Sequence, residues 1–220
     1  MSEYRYERKF FVENISLSAV EMLVKNNPLI FSEIYHSRYI NNIYYDTPTL
    51  TNYYDNVNGN FNRHKVRIRW YDDLIGQKIN SNLEIKIKKG DLGKKLYYPI
   101  NNLSIHKGQQ TNDIQKIIFE TDIGNQLRIN SITPTIINRY KRKYFRSFNR
   151  MFRITIDSDL SFYGIDEHSV SMIKKYHDNT SVIIELKYLA DCDNYAREVS
   201  NYFPFRITKS SKYVIGMDNI

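Results

Sequence analysis

The sequence predicts an α+β protein in which a large antiparallel sheet closes into a barrel or tunnel of about eight strands, with a few helices packed outside. Three observations predict this fold. Period-two alternation of apolar and polar residues dominates the chain, helical periodicity is confined to short stretches, and the 220 residues contain no internal repeat or linker rich in Pro or Gly. We therefore expect one domain that spans residues 1–220.

Candidate strands are segments in which apolar residues occupy every second position. The chain offers eight of them, at 4–12, 38–46, 64–72, 82–90, 94–100, 135–145, 152–160 and 181–188. A ninth candidate, at 211–217, reads SKYVIGM and also alternates. So many long strands favour a single large antiparallel sheet.

Helical periodicity interrupts the strands in three places. Residues 16–27 begin with serines that can cap a helix, residues 111–127 begin with Thr111 or Asn112, and residues 191–203 carry acidic residues in their first turn. Residues 47–57 read as a short helix or turn. We expect these few helices to cover the apolar face of the sheet.

The composition points to an anionic partner in a reducing compartment. The formal net charge is +8, which is compatible with nucleic acid, acidic lipid or phosphorylated small molecules. The lone Cys192 cannot form an internal disulfide, and no Cys/His cluster has zinc spacing. The N-terminal segment MSEYRYERKFF is charged from its third residue, so we expect no signal peptide, and no apolar run is long enough to cross a bilayer. We expect a cytoplasmic protein.

The segment HKVRIRWYDD, residues 64–73, carries a row of three basic residues, Lys65, Arg67 and Arg69. Charged rows recur on four other predicted strands, each opposite an apolar face. A half-solvated open sheet would also alternate in this way. However, like charges on neighbouring strands repel each other, so many of them side by side favour an interior that holds an anion, or acids and metal ions. Closing the sheet would place this charged face in a polar lumen.

Seven motifs together resemble a known family. In order along the chain they are YERKFFV, NIYYDTP, KVRIRWY, LEIKIKKG, RITIDSDL, IIELKY and KSSKY, and they extend from Tyr4 to about Gly216. The chain resembles the VTC domain, the polyphosphate polymerase domain of the vacuolar transporter chaperone family, within the CYTH-like, triphosphate tunnel metalloenzyme superfamily. The resemblance implies a β-tunnel whose basic lumen binds triphosphate or polyphosphate.

The resemblance also implies which residues would act. The catalytic cations would be Lys9, Arg67, Arg69, Lys86, Arg142, Arg153, Lys209 and Lys212. Further cations on the same strands are expected to bind substrate, namely Lys65, Lys88, Arg139 and Lys187. The alternation leaves open whether Arg139 or Arg142 faces the tunnel.

The family holds a divalent metal, Mn²⁺ or Mg²⁺, through acidic residues. Glu185 is the residue that matches its metal-binding glutamate, and Glu7, Glu84 and Asp157 are candidate additional ligands. Hydrolases of the superfamily often begin with E-x-E-x-K, whereas this chain has Arg5 at the first of these positions. The substitution shifts the expected balance from metal-held hydrolysis toward binding of a phosphate chain.

The activity that the resemblance implies is transfer of the γ-phosphate of ATP to a growing polyphosphate chain. The expected partners are ATP or triphosphate and polyphosphate, with no nucleic acid; a membrane partner remains open. Three alternatives compete: a triphosphatase of the same fold, a non-catalytic module that binds polyphosphate or nucleotide, and a nucleic-acid-binding protein. The last would need an exterior basic patch with stacking aromatic residues.

Overall fold

The structure is a computed structural model that describes residues 5–78, 80–90, 92–124, 131–166 and 169–220. The strands of the described residues are β1 Arg5–Val12, β2 Ser32–Asp46, β3 Asn62–Tyr71, β4 Gly76–Lys78, β5 Ser81–Lys89, β6 Leu92–Ile100, β7 Leu103–Ile105, β8 Thr133–Arg146, β9 Phe152–Ile165, β10 Val170–Asp178 and β11 Val182–Leu189. The α-helices are α1 Leu17–Lys25, α2 Thr51–Val57, α3 Thr111–Phe119, α4 Asp193–Asn201 and α5 Lys212–Asp218, and a 3₁₀ turn, Ala190–Cys192, precedes α4.

The main sheet confirms the predicted antiparallel tunnel. Its strands lie in the order β10-β9-β11-β1-β6-β5-β3-β2-β8, and β8 also pairs with β9. The pairings therefore follow a circle of eight strands, with β10 as an extra strand on β9. The weakest seam lies between β1 and β6, where the only residue pair described is Arg5 with Gly93. The short strands β4 and β7 form a separate two-stranded sheet.

The apolar core lies mostly outside the tunnel. One buried cluster packs residues of β1, β9 and β11 against Val20 and Val24 of α1 and Ala196 of α4. A second cluster packs β3, β5 and their neighbours under α3, through Ile114 and Ile118. Because side chains alternate along a strand, burying one face outward under the helices turns the other face into the tunnel.

The α5 helix fills one end of the tunnel from the inside. Tyr213 stacks on Tyr44 of β2 with ring centroids 5.0 Å apart, and its hydroxyl donates to Asp46 Oδ2 at 2.7 Å. Ser211 caps the helix by accepting from the backbone N–H of Val214. These contacts tie the end of the described chain to the tunnel wall.

The predicted strand at 211–217 is wrong, because this segment forms α5. A seven-residue apolar pattern is too short for its period to separate strand from helix. The cap at Ser211 and the packing of Gly216 on the tunnel wall favour the helix. A Cβ atom on Gly216 would lie 2.5 Å from side-chain atoms of Ile136 and Phe162.

Gly216→Ala is expected to lower the free energy of unfolding by about 1–3 kcal/mol, because the added methyl group overpacks this contact. Chemical denaturation of both proteins would measure the change. In an unpacked helix alanine would instead stabilise by up to about 1 kcal/mol. A stabilised variant would therefore contradict the packing of α5 inside the tunnel.

Other elements differ from the predictions in extent. The β2 strand begins at Ser32 instead of residue 38, and the β10 strand was not predicted. The predicted helices at 16–27, 111–127 and 191–203 are shorter, and residues 125–127 lie outside the described residues. Among the described helices, none is both long and apolar enough to span a membrane.

A β-bulge decides which residues of β9 face the tunnel. Asp159 adopts a positive φ of 53°, and the pairing of β8 with β9 shifts register between Arg139 and Lys141. The alternation of β9 therefore reverses at this point. As a result Asp157 and Phe162 both face inward although their numbers differ in parity: Asp157 binds inward cations and Phe162 packs near α5.

Candidate functional site

The tunnel encloses a cavity of about 60 Å³ that is lined mainly by charged side chains. Seven strands and the start of α5 contribute to its wall. The lining residues are Glu7, Lys9, Tyr44, Lys65, Arg67, Arg69, Lys86, Lys95, Tyr140, Arg142, Glu185, Lys187, Ser211 and Lys212. Ten of the sixteen residues named from the sequence are in this set.

The basic row of β3 lies on the inner face of the tunnel. Lys65, Arg67 and Arg69 line the cavity, while the alternate residues Ile68 and Trp70 are fully buried in the outer core. The pull of the apolar residues into that core fixes the direction of the basic ones. Alternation alone thus orients the strongest cationic row of the site.

Glu84 of β5 neutralises part of this row. The Nε and Nη2 atoms of Arg67 donate to Glu84 Oε2 at 2.9 and 2.5 Å, and Arg69 Nη1 lies 3.6 Å from Oε1. Lys95 Nζ of β6 lies 3.9 Å from Oε2. Burial by itself would raise the pKa of Glu84, but the positive charges of these three residues outweigh it, so the pKa lies well below its usual value.

Asp157 of β9 is fully buried and binds two cations. Arg142 Nε and Nη2 donate to its two oxygens at 2.5 and 2.6 Å, and Lys212 Nζ of α5 lies 2.5 Å from Oδ2. Burial opposes ionisation of Asp157, but Arg142 and Lys212 hold its pKa below the usual value. Asp157 therefore positions two cavity cations and anchors α5 at the same time.

Glu185 of β11 contacts more cations than any other carboxylate described at the cavity. Its oxygens lie 2.7 Å from Lys187 Nζ, 3.2 Å from Lys9 Nζ, 3.6 Å from Arg142 Nη2 and 3.9 Å from Lys212 Nζ. Burial would raise the pKa of Glu185, and these surrounding charges lower it well below its usual value. The carboxylate is ionised and borders the cavity.

Glu7 of β1 lies beside Glu185 and pairs with Lys86. Lys86 Nζ donates to Glu7 Oε2 at 2.6 Å. Burial and the neighbouring charge of Lys9 lower the pKa of Lys86 to about 8, although Glu7 and Glu185 partly offset this. The two carboxylates, on adjacent strands, both face the cavity.

Lys65 lies among like charges at the cavity wall. Its Nζ donates to Ser211 Oγ at 2.6 Å, and the ion pairs described in the tunnel include no carboxylate for it. Burial, together with the charges of Lys9, Lys86 and Arg67, lowers its pKa well below the usual value. An anion in the cavity would relieve this repulsion.

The charge balance of the cavity is strongly positive. Nine Lys or Arg side chains line it, and four carboxylates lie at its wall or directly behind it, so five positive charges are in excess when every group is ionised. Cations held this closely in a partly buried space require compensation. The arrangement can therefore bind a compact, highly charged anion.

Uncharged side chains fix the position of Arg69 in the cavity wall. Arg69 Nε donates to Asn42 Oδ1 at 2.8 Å and Arg69 Nη2 to the Tyr140 hydroxyl at 3.0 Å. Asn42 in turn donates to Asn138 Oδ1 at 2.7 Å. This buried chain of hydrogen bonds fixes the guanidinium before any ligand binds.

The remaining named residues lie elsewhere. Arg139 turns away from the cavity, donates to Asn41 Oδ1 and stacks 3.9 Å from the centre of the Tyr39 ring, so Arg142 is the member of the pair that faces the tunnel. Arg153 pairs across from Lys187 but is exposed. Lys88 is half-buried at the end of the β5 row, and Lys209 is exposed before α5.

Four lining residues were missed by the sequence analysis: Tyr44, Lys95, Tyr140 and Ser211. Lys95 pairs across from Lys86, so the face of the neighbouring strand β5 is the signal that indicates its direction. The two tyrosines lie on the inner faces of β2 and β8, and their uncharged side chains do not mark them in the sequence as part of a phosphate site. The position of Ser211 at the cavity follows from the placement of α5, which Ser211 caps.

Among the described residues, no three His, Cys, Asp or Glu side chains come together as a metal cluster. The cavity carboxylates Glu7 and Glu185 provide two hard oxygen donors on adjacent strands. Mg²⁺ is usually bound by one or two carboxylates together with phosphate oxygens of the substrate. This pair fits a metal that arrives with phosphate and does not fit a cage formed by protein alone.

Three solved structures share the fold of the chain. They are a proposed adenylate cyclase from Vibrio parahaemolyticus (15% identity, TM-score 0.52, covering 98% of this chain and 99% of that one), HpAC1 from Hippeastrum (14%, 0.50, 96% and 95%) and PH1819 from Pyrococcus horikoshii (11%, 0.52, 98% and 99%). No curated protein has a matching sequence.

A model of the VTC domain matches residues 4–220, nearly the whole chain. The matched region includes every element that contributes to the cationic cavity. The chain therefore belongs to the VTC domain family.

Proposed function

We propose that the protein is an ATP-dependent polyphosphate polymerase, which transfers the γ-phosphate of ATP to the end of a polyphosphate chain inside the basic tunnel. The observation that carries this proposal is the cavity of nine cations against four carboxylates. A triphosphate group presents several negative charges in a short row, and the cavity offers cations from opposite walls. Arginine can bind phosphate oxygens with two parallel hydrogen bonds, and lysine supplies compact charge.

In the proposed reaction a terminal oxygen of the polyphosphate chain attacks the γ-phosphorus in line. The bond between this phosphorus and the β,γ-bridging oxygen breaks, and ADP leaves with the electron pair. Arg67, Arg69 and Arg142 would align the phosphates and stabilise the charge of the transition state. A bound Mg²⁺ or Mn²⁺, held by Glu7 and Glu185, would neutralise phosphate charge. No covalent intermediate on the protein is required.

The state of the carboxylates supports a phosphate nucleophile. Glu7, Glu84, Asp157 and Glu185 are each paired with Lys or Arg, and the pKa of each is lowered, so all four are weak bases. Water needs a base to become a good nucleophile, whereas the end of a phosphate chain is already anionic. This difference favours transfer to phosphate over hydrolysis.

A triphosphatase of the same fold is the second candidate. HpAC1 from Hippeastrum, which shares the fold, is described as having a dominant triphosphatase activity. In addition, α5 fills one end of the tunnel, so a long product would have to leave through the end by which it entered. Both observations suit a short substrate that is cleaved by water.

Product analysis separates the two candidates. The protein would be incubated with ATP and Mn²⁺ or Mg²⁺, and the products resolved on a gel that separates phosphate chains by length, with free phosphate measured in parallel. A ladder of chains that grows with time supports the polymerase, and free phosphate without chains supports the triphosphatase. Arg197→Ala, an exposed change on α4, is the matched surface control.

The affinity for triphosphate is expected to fall as the pH rises through about 8. In the free protein the pKa of Lys86 is lowered to about 8, and burial with the neighbouring cations lowers the pKa of Lys65 well below its usual value. Because bound anion favours the charged lysines, binding above these pKa values takes up protons and weakens with increasing pH. Calorimetry in buffers of different ionisation enthalpy would measure the uptake, and pH-independent binding without proton uptake would contradict it.

A further inference from the structure

The tunnel end opposite α5 has a different chemistry from the cavity. The inner row of β3 begins at Lys65, which contacts α5 through Ser211, and continues through Arg67 and Arg69 to Tyr71 at the other end. There Tyr71 lies near Arg38, whose guanidinium carbon is 4.3 Å from the centre of the Tyr71 ring and 5.2 Å from that of Tyr144.

Tyr97 of β6 also lies near this end of the tunnel, close enough to Tyr71 and Arg69 to interact with both electrostatically. It pairs directly across from Glu84, which binds the cavity residue Arg67, and its side chain belongs to the same inner face as Lys95. Nevertheless Tyr97 is 55% exposed, which leaves much of its ring without protein contacts. We name the four residues Arg38, Tyr71, Tyr97 and Tyr144 the aromatic mouth.

We propose that the aromatic mouth binds the base of a nucleoside triphosphate by stacking, and thereby distinguishes nucleotides from inorganic triphosphate. This inference rests on the proposed function of the cavity. If the phosphates occupy the cationic centre and α5 fills one end, the nucleoside extends toward the other end, where the mouth lies. Tyrosine rings and guanidinium planes are the groups on which bases stack.

The aromatic mouth also predicts how the protein selects among nucleotide bases. Stacking tolerates different bases, because every base has a π-face, and specific recognition would need hydrogen-bonding groups fixed around the base edge. The Arg38 Nε atom is committed to the Tyr144 hydroxyl at 3.1 Å. The protein is therefore expected to bind ATP and GTP with similar affinity. Both nucleotides should bind more tightly than inorganic triphosphate.

Tyr97→Ala tests the proposal, with dissociation constants of ATP and inorganic triphosphate measured by calorimetry. The variant is expected to weaken ATP about tenfold more than it weakens triphosphate. Tyr97→Phe keeps the ring and should keep the native ratio of the ATP and triphosphate dissociation constants. Tyr202→Ala, an equally exposed tyrosine on the outside beside α4, is the matched control, and melting temperatures verify folding.

The outcomes separate this proposal from the proposed function. Equal weakening of ATP and triphosphate by Tyr97→Ala, or a Tyr97→Phe variant that behaves like Tyr97→Ala, would overturn base stacking at the mouth while leaving the phosphate site intact. A native protein that binds neither ligand would overturn the proposed function and, with it, the role of the mouth.

Discussion

Arg67→Ala is expected to reduce the rate of ADP formation from ATP by about 10²–10³-fold, the typical effect of removing one donor that stabilises a developing charge. The guanidinium lies on the cavity wall, where Glu84 holds it in a fixed orientation. Initial rates at saturating ATP would measure the loss. Arg67 is a suitable target because Glu84 keeps two other cations, Arg69 and Lys95, so the vacated carboxylate is not left unpaired.

Arg67→Lys identifies the source of this effect. Lysine keeps the charge but cannot form the two parallel hydrogen bonds, so its rate should lie between those of the native protein and Arg67→Ala. Arg197→Ala on α4 removes an exposed arginine and should keep the native rate. A folded Arg67→Ala variant with native activity would exclude Arg67 from the reaction and would move the proposed site elsewhere.

Glu185→Gln is expected to change two measurements in opposite directions. Metal-dependent turnover should fall by about 100-fold, because the substitution removes a proposed metal ligand. Binding of triphosphate without metal should become tighter, because the carboxylate no longer competes with the anion for Lys9, Arg142 and Lys187. Calorimetry with and without Mg²⁺ would measure both changes.

The same variant should be less stable in the absence of ligand. Removing one partner from a buried ion pair typically costs about 3–5 kcal/mol, and each kcal/mol lowers the melting temperature of a chain of this size by about 2–4 °C. Triphosphate should restore much of the loss. Glu21→Gln is the matched control, because Glu21 pairs with Lys143 at 2.7 Å without lining the cavity.

If Glu185 acts only as a counter-charge, turnover with metal would not fall selectively. In that case Glu185→Gln would bind triphosphate more tightly both with and without Mg²⁺, and the metal would have to be held by Glu7 or by phosphate alone. The comparison thus tests the metal role of Glu185 separately from its ion pairs with the four surrounding cations.

The inner row of β3 illustrates what alternation can predict. Ile68 and Trp70 must be buried, so Arg67 and Arg69 necessarily face the other way, and the same reasoning holds for Glu185 between Ile184 and Leu186. The rule fails where the strand is irregular. The bulge at Asp159 reverses the faces of β9, so alternation counted from Asp157 assigns the residues beyond the bulge to the wrong face.

The α5 helix shows a second limit of sequence reasoning. Its apolar pattern fits a strand as well as a helix over seven residues, and its position inside the tunnel depends on contacts with residues far along the chain. Tyr213 meets Tyr44 and Asp46, and Lys212 meets Asp157. The role of Lys212 in the cavity is consequently a product of tertiary packing.

By itself, the sequence determined that this protein builds an antiparallel sheet with one apolar and one cationic face, because the direction of side chains along a strand is a local property of the backbone. Only the tertiary structure decided that this face encloses a cavity, that α5 fills one end and that tyrosines surround the other. Those features depend on strand neighbours, bulges and long-range packing, which local periodicity does not encode.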